Sequence, residues 1–231
     1  MNDKKRLMDI INLIDKGKNV IDIGTDHGLV PLYLAKNGIS EDILATDISE
    51  KSLEKLKLAL DEDTKKIIRT KVTDGFKNIK KAHNQIAIIA GMGANRIMDI
   101  IKDSLDFARN LDYMILASNI NTEKLRTFLS ENDFEIINDF LTYENDKYYD
   151  IIKTAYNKGK KLSLAETYYG KDDIKNKSKL LKEKLEIDYK NNKTFKKGIL
   201  EKSQDKNALI RIDERLKAIE EIENIWKLES L

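Results

Sequence analysis

The chain has 231 residues, of which 41% are hydrophobic and 35% are charged, and its formal net charge is +2. This composition suits a folded core, and the length predicts one domain with an appendage, since common domains have ~100 to 150 residues. The lack of cysteine excludes disulfides and thiol catalysis, and two histidines leave a zinc site short of ligands. We therefore expect no metal. We also expect no membrane span, because no apolar run approaches ~18 residues, and a cytoplasmic location, because the amphipathic N-terminus lacks a signal-peptide pattern.

In chain order, the sequence begins with an amphipathic helix and continues with apolar runs that alternate with helical segments. Leu7, Ile10, Ile11 and Ile14 share one face of the first helix. Five short apolar runs suit the buried strands of a parallel sheet, and their alternation with helices predicts a doubly wound α/β fold. Two further runs flank "TYENDKY", which suits the turn of an antiparallel hairpin. The predicted strands are Asn19–Ile23, Asp42–Thr46, Ile67–Val72, Gln85–Ala90, Asp112–Ala117, Phe134–Leu141 and Tyr148–Thr154, and the predicted helices between them are Pro31–Asn37, Glu50–Leu60, Ala94–Leu105 and Thr122–Glu131.

After Ala155 the sequence becomes polar and helical. A short helix is predicted at Leu164–Tyr169, followed by two long helices separated by "KNNKT", at Asp172–Tyr189 and Thr194–Leu228. Their apolar seams are narrow, which predicts an antiparallel coiled-coil hairpin. We therefore expect two domains, residues 1–155 and residues 156–231. The seam residues are Ile174, Leu181 and Leu185 in the first helix and Leu209, Ile212, Leu216, Ile219 and Trp226 in the second.

The charge is distributed unevenly between these two parts. Residues 1–150 carry 22 Lys and Arg against 26 Asp and Glu, whereas residues 151–231 carry 20 against 14. Most of the excess lies in residues 153–202, with 15 basic and 7 acidic residues. A solvated helical face would show this pattern, and so would a surface that binds a polyanion. Charge alone does not choose between the two.

The loop after the first strand, "DIGTDHG", carries two acids beside its glycines. A dinucleotide fingerprint, G-x-G-x-x-G, lets the backbone approach a pyrophosphate. Here Gly24 and Gly28 are spaced G-x-x-x-G, and Asp26 occupies the position of the second glycine of the fingerprint. The carboxylate of Asp26 would repel a pyrophosphate. Together with Asp22, this loop favours a cationic cofactor without phosphate, and S-adenosylmethionine is such a ligand.

Two further aspartates follow the second and third predicted strands. Asp47, in "LATDIS", lies where a carboxylate accepts hydrogen bonds from the ribose hydroxyls of an adenosine. Asp74, in "VTDGF", could accept from the adenine amino group, with Gly75 allowing close approach. The alternative for each of these acids is a helix N-cap.

The fourth and fifth predicted strands end in segments that suit a flat substrate. In "AIIAGMGANRI", Gly91 and Gly93 leave room for a ring, and Met92 offers it a soft apolar surface. In "LASNINTEKL", the amide of Asn119 could read the edge of a base. A tight strand-to-helix turn is the alternative for the first segment, and a helix N-cap is the alternative for Asn119.

Taken together, "DIGTDHGLVP", "TDGF", "IAGMGANRI" and "LASN", followed by a lysine-rich tail, resemble the bacterial tRNA adenine-N1 methyltransferases that modify adenine 22 in the D-arm region. The resemblance covers nearly the whole chain and is sharpest at Asp26-His27 and at Gly91-Met92-Gly93. It implies a Rossmann-like class I methyltransferase sheet of five parallel strands plus an antiparallel hairpin, with a C-terminal coiled coil. It also implies S-adenosylmethionine as cofactor, tRNA as partner and Asp26 as the catalytic residue.

The resemblance is not complete. The family has a second glycine after G-M-G and a Gln-Pro-Asn after the fifth strand, where this chain has Ala94 and Ala117-Ser118-Asn119. Three roles stay open for His27, which could hold Asp26, contact the target base or cap the helix. The expected site residues are Asp26 and Asn119 for catalysis, Asp22, Gly24, Thr25, His27, Gly28, Asp47, Ile48, Asp74 and Gly75 for the cofactor, and Gly91, Met92 and Gly93 for the substrate.

Two other functions also fit the sequence. A class I methyltransferase could act on another RNA, a protein or a small molecule, because a fold does not define a substrate. A non-catalytic module could sense S-adenosylmethionine through the sheet and bind a protein through the coiled coil.

Overall fold

The computed structural model describes residues 4–25, 27–202 and 205–228. The described residues fall into two compact units. One lies within Met1–Asn138 and Thr142–Lys160, and the other lies within Asp139–Leu141 and Lys161–Leu231. The predicted functional boundary after residue 155 stays a prediction, and the compact units divide five residues later. No helix in the described ranges is long and apolar enough to cross a membrane.

The first unit is built on a seven-stranded sheet with the order β3-β2-β1-β4-β5-β7-β6. The first five strands pair in parallel, and β7 pairs antiparallel with β5, so the predicted α/β sheet with its terminal hairpin is confirmed. The order reverses at β1 and β4, which makes their carboxyl ends the topological switch point where such sheets bind ligands. The strands are β1 Asn19–Ile23, β2 Ile43–Asp47, β3 Ile68–Val72, β4 Gln85–Ala90, β5 Tyr113–Ser118, β6 Phe134–Glu144 and β7 Lys147–Tyr156.

Helices of this unit connect the parallel strands. The predicted helix at Ala94–Leu105 is interrupted, because the chain turns at Asp103 and Ser104 before a further short helix begins. The helices are α1 Lys5–Ile11, α2 Leu29–Lys36, α3 Glu50–Ala59, α4 Thr64–Ile67, α5 Ala94–Lys102, α6 Leu105–Ala108 and α7 Thr122–Glu131.

The core of the first unit lies around the central strands. All six residues of β5 and the middle four of β4 are buried, as expected for parallel strands covered on both faces. Ile10 and Ile11 of α1 are buried too. Strands β6 and β7 meet at a two-residue turn, and both turn residues, Asn145 and Asp146, have positive φ. That geometry matches the right-handed twist of a hairpin and holds its register.

The second unit is helical. Its helices are α8 Leu164–Tyr169, α9 Lys171–Asn176, α10 Lys179–Lys202 and α11 Lys206–Leu228. The predicted break at "KNNKT" is wrong, because α10 runs through it. Asn192 lies inside that segment with only 5% of its surface exposed, and its side chain bonds the carbonyl of Asp188 one turn earlier. The predicted helix at Asp172–Tyr189 is also wrong in its first turns, because Lys177 adopts the left-handed conformation and ends the short helix α9 before α10 begins.

Helices α10 and α11 pack as an antiparallel pair. Lys196 of α10 forms a 2.6 Å ion pair with Asp213 of α11 near the connection, and at the opposite end Lys182 Nζ lies 5.7 Å from the ring centre of Trp226. Leu216 and Ile219 are buried as predicted. The other predicted seam residues of α11, Leu209, Ile212 and Trp226, are half-buried.

Candidate active site

A cavity of about 440 Å³ opens at the carboxyl ends of β1, β2 and β4 in the first unit. Its volume lies in the range of ~300 to 1,000 Å³ typical of small-molecule sites. The loops after β1, β2, β3 and β4 contribute walls, because the carboxyl ends of parallel strands meet at one edge of the sheet. The sequence-predicted residues that line it are Asp22, Gly24, Thr25, His27, Asp47, Ile48, Gly75, Gly91 and Met92.

Asp22 is a buried carboxylate at the cavity, with 5% of its surface exposed. The hydroxyl of Thr25 donates to its Oδ2 at 2.6 Å, and the hydroxyl of Thr46 donates to its backbone carbonyl at 3.3 Å. Burial raises the pKa of Asp22 to about 6, with a further contribution from the charge of Asp47, while the Thr25 hydrogen bond opposes the rise. A cation placed in the cavity would stabilise the ionised form of this acid.

Asp47 ends β2 at the same cavity. Its Oδ1 accepts a 2.8 Å hydrogen bond from the backbone N–H of Ser49, which holds the carboxylate in an Asx turn. The next residue, Ile48, exposes 68% of its surface and lines the cavity. An acceptor followed by an exposed apolar side chain is the arrangement that suits a ribose and the base attached to it.

Glycines let the loops approach each other closely. Gly24 has φ +75°, and a Cβ built on it would lie 2.7 Å from Cε of Met92. The loops after β1 and β4 therefore touch across this point. Gly28 has φ +66° at the N-cap of α2, and a Cβ there would lie 2.3 Å from Cδ1 of Leu56. The second glycine of the G-x-x-x-G pattern thus serves packing, and Gly28 does not line the cavity.

Asp74 and Gly93 do not line the cavity. Asp26 lies outside the described residues. The carboxylate of Asp74 is held by Lys77 at 2.6 Å and by Arg96, and these hydrogen bonds lower its pKa. Its neighbour Gly75 lines the cavity. Gly93 forms the N-cap of α5.

Asn119 is exposed in the loop after β5 and does not line the cavity. The N-cap of the following helix is Asn121, so Asn119 does not have the alternative role of a cap. The preceding Ser118 is buried, and its hydroxyl donates to the carbonyl of Ile120 at 3.1 Å. That same carbonyl accepts from the backbone N–H of Ala94 at 3.2 Å, so the loop is tied to α5 without the proline of the resembling family.

His27 is exposed at the mouth of the cavity. The N-cap position of α2 belongs to Gly28, so His27 does not cap that helix through the N-cap position. Its two other roles, toward Asp26 or toward a target base, remain predictions.

Part of the wall comes from segments that the sequence did not associate with a site. Lys4, Arg6, Leu7 and Ile10 contribute from α1 and its N-cap, and Glu144 contributes from the end of β6. The apolar face of α1 predicts burial, and nothing in its pattern indicates that half of that face borders a cavity. Glu144 is separated from Arg6 by 138 residues, so only the folded chain brings them together.

These features fit a nucleoside cofactor that carries positive charge. Asp47 and Ile48 suit the ribose and base, whereas the buried Asp22 suits a cation and would repel a phosphate. The described residues contain no cluster of three or more His, Cys, Asp or Glu that could hold a metal ion. The fold and cavity therefore define a Rossmann-like enzyme with a cofactor site at the switch point of its sheet.

Comparison with known proteins identifies the family. Residues 3–152 match the family described as methyltransferase domain. The Mycoplasma genitalium protein named "Putative tRNA methyltransferase MG248" is 32% identical over 64% of this chain and 68% of its own length. The tRNA (adenine(22)-N(1))-methyltransferase of Bacillus subtilis is 27% identical over 64% of this chain and 63% of its own length.

A solved structure extends the likeness to the second unit. M. capricolum TrmK, in complex with the cofactor product S-adenosyl-homocysteine, superposes with a TM-score of 0.80 at 25% identity. The match covers 95% of this chain and 97% of that one. The chain belongs to the methyltransferase-domain family, which the sequence motifs predicted.

Proposed function

We propose that this protein transfers a methyl group from S-adenosylmethionine to N1 of adenine 22 of tRNA. The observation that carries the proposal is the cavity lined by Asp22, Asp47 and the glycine loops, in a chain similar to the adenine-22 methyltransferase of B. subtilis. Because tRNA is the substrate, the enzyme acts in the cytoplasm.

The protein holds the cofactor through opposite charge and shape. Asp47 accepts from the ribose hydroxyls, Ile48 and the backbone around Gly75 border the adenine, and Asp22 faces the positively charged methionyl part. Asp74 would reach the adenine amino group only by giving up part of its pairing with Arg96 and Lys77. When bound, S-adenosylmethionine supplies an electrophilic methyl group on a sulfonium.

The target nitrogen must first be made accessible, because N1 lies on the pairing edge of adenine and enzymes reach such atoms by unstacking the base. The N1 lone pair then forms the new bond to the methyl carbon as the carbon–sulfur bond breaks, and sulfur keeps that electron pair. The protein aligns the reacting atoms in the cavity. Asp26 stabilises the positive charge that develops on the adenine ring or takes a proton from its amino group.

The second unit provides the surface for the tRNA backbone. Lys190, Lys193 and Lys197 are exposed on α10 and follow an i, i+3, i+7 spacing, which places them on one helix face. Tyr189 lies beside them with Lys193 Nζ 5.3 Å from its ring centre, and Phe195 exposes 61% of its surface. Lysines bind phosphates without reading sequence, and exposed aromatic rings can stack on unpaired bases.

The function is tested by incubating the protein with labelled S-adenosylmethionine and tRNA and digesting the product to nucleosides. We expect 1-methyladenosine and a reverse-transcription stop at position 22, since an N1 methyl blocks base pairing. A tRNA with guanine at position 22 is the control and should stay unlabelled. Another methylated product would support a different methyltransferase, and the absence of incorporation would support a sensing module.

The role of α10 is tested separately by replacing Lys190, Lys193 and Lys197 with Gln. We expect weaker tRNA binding and a shallower dependence of affinity on salt, by about one unit of slope for each phosphate that is no longer neutralised. The matched control replaces three exposed lysines of α3, Lys51, Lys55 and Lys57, with Gln. Equal effects of the two triple variants would contradict a specific role for α10.

A further inference from the structure

Arg6 is a cationic side chain in the wall of the candidate cofactor cavity. It lies one turn before Ile10 on α1, and together with Leu7 these residues border the cavity. The resembling motifs and the predicted site contain no residue from this helix. Helix α1 packs against α2, the helix that follows the acidic loop, and against β7. It therefore lies on the side of the cavity away from Thr73 and Gly75, which follow β3.

The guanidinium of Arg6 is oriented by two residues of the β6–β7 hairpin. Its Nε lies 3.5 Å from Oε2 of Glu144, and its central carbon lies 4.4 Å above the ring centre of Tyr149. The backbone N–H of Arg6 also donates to Oε1 of Glu144 at 3.2 Å. Both carboxylate oxygens of this buried acid therefore contact Arg6.

This arrangement leaves the outer edge of the guanidinium available. Among the described residues, the terminal amino groups of Arg6 make no hydrogen bond, because its one ion pair involves Nε. The ammonium of Lys4, which also lines the cavity, has no acidic partner in the described part of the chain. Among the described residues at this end of the cavity, Lys4 and Arg6 thus provide two cations beside one anion, Glu144. Arg96, another cation of the described wall, is occupied by Asp74.

The excess positive charge calls for a negatively charged group of the ligand. S-adenosylmethionine has one, the carboxylate of its methionyl part, and the acids of the cavity would repel it. The adenosine end is accounted for by Asp47, Ile48 and Gly75, so the methionyl end points toward α1. A planar guanidinium can bind a carboxylate through two parallel hydrogen bonds.

We propose that Arg6 binds the carboxylate of S-adenosylmethionine and that Glu144 and Tyr149 position it for that contact. The inference rests on the proposed function, since it assumes the cofactor. It divides the cavity into an acidic side, with Asp22 for the cationic groups, and a basic side, with Arg6 for the carboxylate. The two sides together select a zwitterionic amino-acid moiety.

The test compares two ligands by isothermal titration calorimetry: S-adenosylmethionine and its decarboxylated form, which keeps the sulfonium and the ammonium. For Arg6→Gln we expect a roughly 10- to 100-fold loss of affinity for S-adenosylmethionine, the size associated with hydrogen bonds to charged groups. Affinity for the decarboxylated form should change by less than about threefold, which also reports that the variant is folded. Arg6→Lys should lie between the wild type and Arg6→Gln, because it keeps the charge and loses the paired donors.

Lys5→Gln is the matched control. Lys5 is adjacent and carries the same charge, but it pairs with Asp9 at 2.7 Å and does not line the cavity. The Lys5→Gln variant should bind both ligands as the wild type does.

Unchanged affinity of Arg6→Gln for S-adenosylmethionine, or an equal loss for both ligands, would overturn the inference. If Arg6→Gln does not fold, the same comparison is made with Arg6→Lys. A wild-type protein that binds neither ligand would instead contradict the proposed function.

Discussion

The hydroxyl of Thr25 donates a 2.6 Å hydrogen bond to Oδ2 of Asp22 at the carboxyl end of β1. Burial raises the pKa of Asp22, and the hydrogen bond from Thr25 lowers it. Burial has the larger effect, so the pKa is raised to about 6. The carboxylate that faces the cofactor cavity is therefore only partly ionised in mildly acidic solution.

Affinity for S-adenosylmethionine should depend on pH through Asp22. A cationic ligand favours the ionised carboxylate, so binding weakens as the pH falls below about 6 and Asp22 is protonated. From pH 7.5 to pH 5 we expect a loss of roughly tenfold, which is the decrease in the ionised fraction for a pKa near 6. Calorimetry across this range measures it. Asp22→Asn should bind weakly at every pH, and an unchanged slope in that variant would assign the titration to another group.

Asp26→Asn should separate binding from catalysis. Loss of a charge-stabilising or proton-accepting group lowers turnover by about 10²- to 10⁴-fold, while the amide keeps the size of the side chain. Calorimetry should show S-adenosylmethionine affinity close to that of the wild type, and single-turnover methyl transfer should show the loss. Asp63→Asn, an exposed acid outside the cavity, is the control. Full turnover by Asp26→Asn would exclude a catalytic role.

Gly28→Ala should destabilise the protein more than Gly38→Ala. Both glycines have positive φ, so both substitutions place a side chain in the left-handed region at a cost of about 1 kcal/mol. Only at Gly28 would the new Cβ overlap Leu56, whereas nothing lies within 4 Å at Gly38. The overlap should add about 1 to 3 kcal/mol to the loss in unfolding free energy. Urea unfolding of the two variants measures the difference, and equal losses would contradict the packing role of Gly28.

The ion pair of Arg126 and Asp150 should be required for stability. Arg126 is fully buried, and its guanidinium lies 2.6 Å from Oδ1 of Asp150. Asp150→Ala leaves a buried charge with reduced compensation, and the expected loss is about 3 kcal/mol of unfolding free energy. Asp63→Ala, which breaks the exposed 3.0 Å pair with Lys66, should change stability by less than about 0.5 kcal/mol. Chemical denaturation of both variants tests the contrast.

Local patterns predicted most of the fold and the cofactor side of the site. Short apolar runs that alternate with helical segments indicate the buried strands of a parallel sheet, and the acids in "DIGTDHG" and "LATDIS" follow strands whose carboxyl ends must meet. Asp22, Gly24 and Asp47 were predicted as cofactor-binding residues, and all three line one cavity. Their contact with the cofactor stays a prediction. The helical segment "KNNKT" was predicted wrongly, because the burial of Asn192 outweighs the low helix propensity of asparagine.

The order of strands and helices, the acidic cofactor loop and the basic character of the C-terminal helices can all be read from the sequence, because each depends on residues close together in the chain. The meeting of Arg6 and Glu144 at the cavity and the packing of Gly28 on Leu56 emerge only in the folded protein. The same is true of the pairing of Asp74 with Arg96. These relationships join segments 22 to 138 residues apart. Their physical cause is the packing of the closed fold, which no local periodicity records.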